Sequence, residues 1–468
     1  MIIAPGVRSG EEGLGGKPKR KSFLVVLVVL AVLGGGAATC RPEERRLDLE
    51  EAYKLALETH EQILIAEKEV KKSRLLPYKA FSLMLPHVDV GGAFQKVNKP
   101  INSSVGNVLI LPHDQTAGNI KVKNSIYNPD FFPQRRKAHE TIDKTISNYF
   151  QTIQNVLFQV ATLYYQVLRT GELVQNARDL IKTAQEEIRV SKVKLTSGAV
   201  TEDAVLKAEL DMATAENKFI ESSNQLRLAR NTLRNLIALK VTDYEVGKPA
   251  LLPEVSESYD TLTSKAYEFR YDHRIALVEV ELAKTEVDLV KAKFYPSLDA
   301  SWEYYAVKHP KFDQESNNWM GMVMAKMPLA EGGLRVWELK EKNESLLQAK
   351  LSLEDKRRTI KTEVEDALLT TQNNKSLLLK LQKQVELAQK SYDIIFSKFK
   401  YGAATIMEVS QAFSTLDTAK VNLINKKYDY QISLLSLDKA EGIFVLDLIR
   451  SNAKAVLTGN AMGRSNNR

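Results

Sequence analysis

At 468 residues the chain has room for two or three domains of ordinary size. It is 44% hydrophobic and 26% charged, with 22 glycines and 14 prolines, which excludes both a disordered and a fibrous chain. The net charge of +8 sits at the two ends, about +3 in residues 1–40 and about +4 after residue 449, so it is poor evidence for nucleic-acid binding. Aromatic residues make up only 7%, beside abundant Ala, Leu, Lys, Glu and Gln, a balance that points to long helices. No apolar run reaches the roughly 20 residues of a spanning helix, which excludes a multi-helix inner-membrane transporter.

The chain begins with a basic cluster, Lys17 to Lys21, an apolar run from Phe23 to Leu33, and the small residues Gly34 to Ala38. That order predicts a signal peptide over 1–39. Cys40 is the only cysteine, so no disulfide can form within the chain. Its place fits an acylated lipoprotein cysteine, although Ala37 and Thr39 match that signal only partly; cleavage after Ala38 is the alternative. Either route takes the chain out of the cytoplasm.

Past the leader, a helical segment covers 47–85, a strand pair 86–128, and a long helical hairpin 131–237 that turns at 197–203. A linker over 238–262 precedes a second set: a helix over 263–294, a strand pair over 296–328, and a hairpin over 332–444 that turns at 401–407. Residues 445–468 form a basic tail. The two sets are an internal repeat. Leu195-Thr-Ser-Gly198-Ala199-Val-Thr201 parallels Phe399-Lys-Tyr-Gly402-Ala403-Ala-Thr405, and Leu85-Pro86 parallels Tyr295-Pro296.

Within the hairpins, Val205, Ala208, Met212, Ala215, Phe219, Ser222, Leu226, Ala229 and Leu233 recur at steps of three and four, as do Leu378, Leu381, Val385, Ala388, Tyr392, Ile395 and Phe399. Such seams describe coiled-coil helices. Gly198 and Gly402 end the first arm of each hairpin, where left-handed geometry is needed. The segments Val88–Lys96, Asn119–Tyr127, Leu298–Val307 and Trp319–Met327 are β-like, joined by long polar loops, about twenty residues from Val97 to Ala117 and about ten from Lys308 to Asn317. In the third, Leu298, Ala300, Trp302, Tyr304 and Ala306 alternate with Asp299, Ser301, Glu303 and Tyr305, as in a barrel strand between lipid and water. A transmembrane barrel needs about eight strands to close, and four are present. If these strands cross a membrane, the barrel must be shared between copies.

With the duplicated layout, Phe294-Tyr-Pro-Ser-Leu-Asp-Ala-Ser, Pro328-Leu329-Ala330-Glu331-Gly332-Gly333 and the Gly-x-x-Thr turns, the sequence resembles the outer-membrane efflux protein family, the TolC-like channels. The resemblance implies a mainly α fold with a β-barrel part. Duplicated long-helix hairpins would form a periplasmic α-barrel, and each chain would give four strands to a shared 12-stranded transmembrane β-barrel. It implies a homotrimer in outer-membrane lipid that works with a periplasmic membrane-fusion adaptor and an inner-membrane transporter of RND, ABC or MFS type, in drug efflux or type I secretion. Gly198, Ala199, Thr201, Gly402, Ala403 and Thr405 would form the adaptor-docking tips. Glu408 would ring the pore constriction, with Gln411 where some members carry a second acid and Ala404 where some carry a basic gate residue.

Glu202 and Asp203 supply a further pair of tip charges. The six histidines show no metal-ligand spacing, and the glycines before Lys17 do not make a phosphate loop. Met320, Met322, Met324 and Met327 would suit a soft metal, but they serve equally as apolar filler for a barrel wall. No nucleophile–base or carboxylate pair stands out, so neither enzyme chemistry, a cofactor nor a resident metal is expected. The competing reading is a periplasmic coiled-coil adaptor or scaffold without a pore.

Overall fold

Heptad seams fold into the two longest helices, and everything else is placed by where they start and turn. The computed structural model describes residues 45–102, 109–111, 113–241, 244–249, 257–310, 315–446 and 448–449. The leader, Cys40 and the tail past 449 lie outside them. The first half contains β1 (Arg45–Leu47), α1 (Leu49–Thr59), α2 (Glu61–Ser73), α3 (Leu76–Ser82), β2 (His87–Lys96), β3 (Ile101–Asn102), β4 (Leu109–Leu111), β5 (Asp114–Tyr127), α4 (Phe131–Thr196) and α5 (Glu202–Leu236). The second contains β6 (Tyr244–Val246), α6 (Tyr259–Phe269), α7 (Tyr271–Ala292), β7 (Ser297–Lys308), β8 (Asn317–Lys326), α8 (Leu334–Lys400) and α9 (Ile406–Glu441).

The repeat extends to single dihedrals. His60, between α1 and α2, and Arg270, between α6 and α7, take nearly the same extended conformation (φ −72°, ψ 122° and φ −71°, ψ 127°). The long arms α4 and α8 have 66 and 67 residues, about 100 Å each at 1.5 Å per residue. Their return arms α5 and α9 have 35 and 36. A parallel pair, β1 with β6, clasps Arg45–Leu47, just ahead of α1, to the segment between the halves. The buried Tyr164 hydroxyl on α4 holds it, 3.0 Å from Leu47 O and 2.7 Å from Gly247 O.

The four long strands form one antiparallel sheet in the order β2-β5-β7-β8. Its register separates two faces. Val88, Val90 and Phe94 stand with Ile120 and Val122, then Leu298, Ala300, Trp302 and Tyr304, then Trp319 and Val323. The other face carries Asp89, Asn119, Lys121, Lys123, Asp299, Ser301 and Glu303. Lys121 pairs with Glu303 at 3.0 Å, and Asn119 donates to the same carboxylate at 2.8 Å. Met320, Met322 and Met324 sit opposite Glu303, Ser301 and Asp299, on this polar face rather than the apolar one. The connection after β2 is also shorter than the twenty-residue loop the sequence suggests, because β5 already starts at Asp114 and β3 pairs with β4 inside the gap. Polar residues at a strand end hide its start from a pattern based on hydrophobicity.

Both return arms end in matching motifs built from different residues. After α9, Gly442 (φ 82°) takes the left-handed position, with Ile443 N donating to Asp438 O at 3.0 Å. After α5, Ala238 (φ 49°) takes it, with Leu239 N donating to Arg234 O at 3.0 Å. A Cβ on Gly442 would lie 2.8 Å from Arg270 N, so only glycine fits there. Left-handed alanine costs about 1–2 kcal/mol, partly offset by the extra freedom glycine has in the unfolded chain. Ala238→Gly should therefore raise the unfolding temperature and Gly442→Ala should lower it, both measurable by calorimetry of the detergent-solubilised protein.

Candidate functional site

Each long arm ends in the same hydrogen-bonded turn. Gly198 (φ 72°) donates from its N to Leu195 O and Ala199 N donates to Lys194 O, both at 2.9 Å. Gly402 (φ 82°) donates to Phe399 O at 3.1 Å, and Ala403 N to Lys398 O at 2.8 Å. These are Schellman motifs, in which glycine avoids the Cβ penalty and the last carbonyls find partners. Thr201 and Thr405 then become the N-caps of α5 and α9.

The two starts differ. Thr405 Oγ1 accepts from Glu408 N at 3.3 Å while Thr405 N donates to Glu408 Oε2 at 2.7 Å, a reciprocal capping box. That backbone hydrogen bond holds the exposed Glu408 carboxyl below its usual range. In the first tip Thr201 makes no such bond, and its hydroxyl turns to Asp203. Glu202 and Asp203 both lie exposed in the first turn of α5, at the positive end of the helix dipole. Glu408 and Gln411 share an exposed polar face of α9 with Thr415 and Thr418, whereas Ala404 is half-buried.

The tips pack on one another through a core of Leu180, Ala184, Val190, Ala204, Ala208, Phe399, Ile406, Val409 and Phe413. Lys194 Nζ lies 4.8 Å from the Phe399 ring centroid, tying the first turn to the second. Polar bridges between the hairpins are set into this packing. Asp417 on α9, almost fully buried, accepts from Asn176 at 3.1 Å and from Lys218. Tyr392 on α8 donates to Glu187 on α4 at 2.6 Å. Exposed Tyr401 and Met407 flank the second turn. Of the bridging residues Asn176, Glu187, Lys218, Tyr392 and Asp417, sequence reading singled out Tyr392 alone, as a seam apolar; acids at seam positions were the available signal. Cys40 lies outside the described residues. Among the described residues, no group of three or more His, Cys, Asp or Glu gathers as a metal site, and no helix is long and apolar enough to cross a membrane.

The family model described as outer membrane efflux protein matches residues 52–239 and 262–442. The outer membrane protein TolC of Vibrio cholerae is 23% identical over 434 residues, covering 90% of this chain and 95% of that protein. Among solved structures, the CusC transmembrane channel superposes with a TM-score of 0.74 at 16% identity, covering 84% of this chain and 92% of that one. The Campylobacter jejuni CmeC outer membrane channel gives 0.74 at 16% identity, covering 87% and 89%. The family match thus makes this an outer-membrane efflux channel and not an enzyme, and the duplicated hairpins agree with the fold of those channels. The chain belongs to the outer membrane efflux protein family.

The capping box makes a specific demand. Thr405→Ala should cost about 1 kcal/mol of local stability, roughly a fivefold rise in amide exchange in the first turn of α9. Thr201→Ala, which removes no cap bond, should leave the first turn of α5 unchanged in the same hydrogen-exchange measurement.

Proposed function

We propose that three copies of this chain form a passive exit duct through the outer membrane, energised by an inner-membrane transporter through a periplasmic adaptor. The observation that carries this reading is the sheet. β2 and β8 are exposed along their length, and each pairs on one side only among the described residues. Open edges cannot rest in lipid, so four strands per copy call for a shared, closed barrel. Twelve strands follow from three copies. The apolar face would meet lipid and the Lys121–Glu303 face the lumen.

The helices support the same assembly. Leu206, Leu210, Ile220 and Leu228 are exposed on α5, and Leu347, Leu351, Leu369, Leu377, Leu387 and Ile394 on α8, apolar rows that neighbouring copies would cover. The hairpins would then continue the barrel as a periplasmic tube, with residues 238–262 at its girdle. Gly198, Ala199, Thr201, Gly402, Ala403 and Thr405 would dock the adaptor, with Tyr401 and Met407 as its apolar anchors. Residues 1–39 would direct export, with Cys40 either acylated or, after cleavage behind Ala38, the second residue of an unacylated mature chain.

In mild detergent the mature protein should run at about three times the chain mass; a folded, monodisperse monomer would refute the shared barrel. Three-fold symmetry would set Glu408 from each copy around one axis, with the Gln411 amides a turn away, a cation-selective ring. Glutamine also serves as the partner in a capping box, so Glu408→Gln removes the charge and keeps the helix start. In planar bilayers the parent channel should be cation-selective and blocked by millimolar divalent ions, and Glu408→Gln should lose both properties. Unchanged block and selectivity would end the Glu408 assignment.

A further inference from the structure

Roughly 15 Å behind the turns, at 1.5 Å per residue, an acidic layer is sealed between the hairpins. Glu187 on α4 has no exposed surface. Its Oε1 accepts from Tyr392 Oη of α8, and its Oε2 has no hydrogen-bond partner among the described residues. From α5, Asp211 is 8% exposed, with Oδ1 held by Lys207 Nζ at 2.7 Å and Oδ2 buried without a partner. Ser191 Oγ, one turn along α4 from Glu187, is buried and unpartnered too. α9 contributes Phe413, whose ring centroid lies 6.3 Å from that of Tyr392, with Val409 and Ala412 in the same apolar cluster. The neighbouring charges point outward: Lys192 pairs with Glu209 at 3.0 Å, Glu186 pairs with Arg189 and Lys400, and Asp393 accepts from Gln389.

A buried carboxylate with an unused oxygen beside a second carboxylate is costly to keep charged. A neutral carboxyl has an O–H to give, and Asp211 Oδ2 and Ser191 Oγ are the acceptors left over in this layer. We propose that Glu187 is a proton-operated latch between the two hairpins. With the proton on, it bonds α4, α5 and α8 together; with the proton off, the layer loosens and the hairpins part near the tips.

Burial raises the Glu187 carboxyl to about 7; the Tyr392 hydrogen bond opposes this, Asp211 adds to it, and Lys207 opposes it. Because the packed state holds the proton more tightly than the unfolded chain does, packing is most stable below about pH 4.5. It weakens as pH rises towards about 7.

The test is hydrogen exchange of the full-length, detergent-solubilised protein from pH 5.5 to 8.5, corrected for intrinsic rates and read over 184–214 and 388–413. In the parent, protection there should fall about tenfold or more as pH rises. Glu187→Gln, which has an amide in place of the proton, should hold protection constant. Tyr392→Phe removes the bond that favours the ionised form and should move the midpoint to higher pH. The far end of α9 is the control. Burial there raises Asp438 to about 6 and Glu441 to about 7, and its profile should be the same in the Glu187→Gln protein.

A Glu187→Gln profile that follows the parent, or a midpoint unmoved in Tyr392→Phe, overturns the latch. Its effect on transport rests on the channel reading, for which conductance should rise with pH in the parent and stay constant in Glu187→Gln. If no variant conducts while exchange switches as stated, the channel reading fails and the latch stands.

Discussion

A strand edge carries a row of amide and carbonyl groups, and in hydrocarbon each unpaired group costs several kcal/mol. Here both outer edges of the sheet, on β2 and β8, run ten residues without a partner strand among the described residues. Within one copy the two edges are separated by β5 and β7, and four strands are too few to curl them together. In the proposed duct, satisfying them means repeating the chain around an axis. In the proposed assembly, the long helices inherit that axis, because α4 starts four positions after the end of β5 and α8 eight positions after the end of β8.

In the proposed barrel, the same requirement would account for the two unlike faces of the sheet. A strand in a closed barrel meets lipid on one side and the lumen on the other, so its residues alternate. Trp302 and Tyr304 lie in register with Gly321 and Trp319, while Glu303 between them bonds Lys121 and Asn119. The three methionines of β8 interrupt the rule. They occupy the polar face, where a thioether is neither well hydrated nor barred, and their neighbours Glu303, Ser301 and Asp299 supply the polarity of that strip.

Periodicity and duplication made most of the helical frame legible. The seam Val205, Ala208, Ala215, Ser222, Ala229 and Leu233 is buried in α5, and Tyr392 and Phe399 are buried in α8. The Gly-x-x-Thr turns were legible because left-handed geometry selects glycine so strongly. Ala238 shows where that signal stops: it adopts the same turn as Gly442 without a glycine to mark it. The strand β5 was read short because Asp114 and Gln115 look like loop residues, though they pair with Lys96 and Gln95. The side chains that bridge hairpins far apart in sequence could not be read at all. Such contacts depend on which helix lies beside which, and a heptad does not record that.

Glu187 and Asp211 were hidden in plain sight by the same heptads. Leu180, Ala184, Glu187 and Ser191 follow one another at steps of three and four, as do Ala204, Ala208, Asp211 and Ala215, so each acid occupies a seam position. A seam position is buried whatever residue fills it, which makes an acid there a liability unless something answers its charge. Lys207 and Tyr392 answer part of it and leave one oxygen of each carboxylate over. Packing by apolar residues alone would hold the hairpins together at every pH. A layer in which Glu187 is incompletely answered holds them with a strength that depends on a proton, and it does so without disturbing Phe399, Ile406 and Val409 nearer the turns.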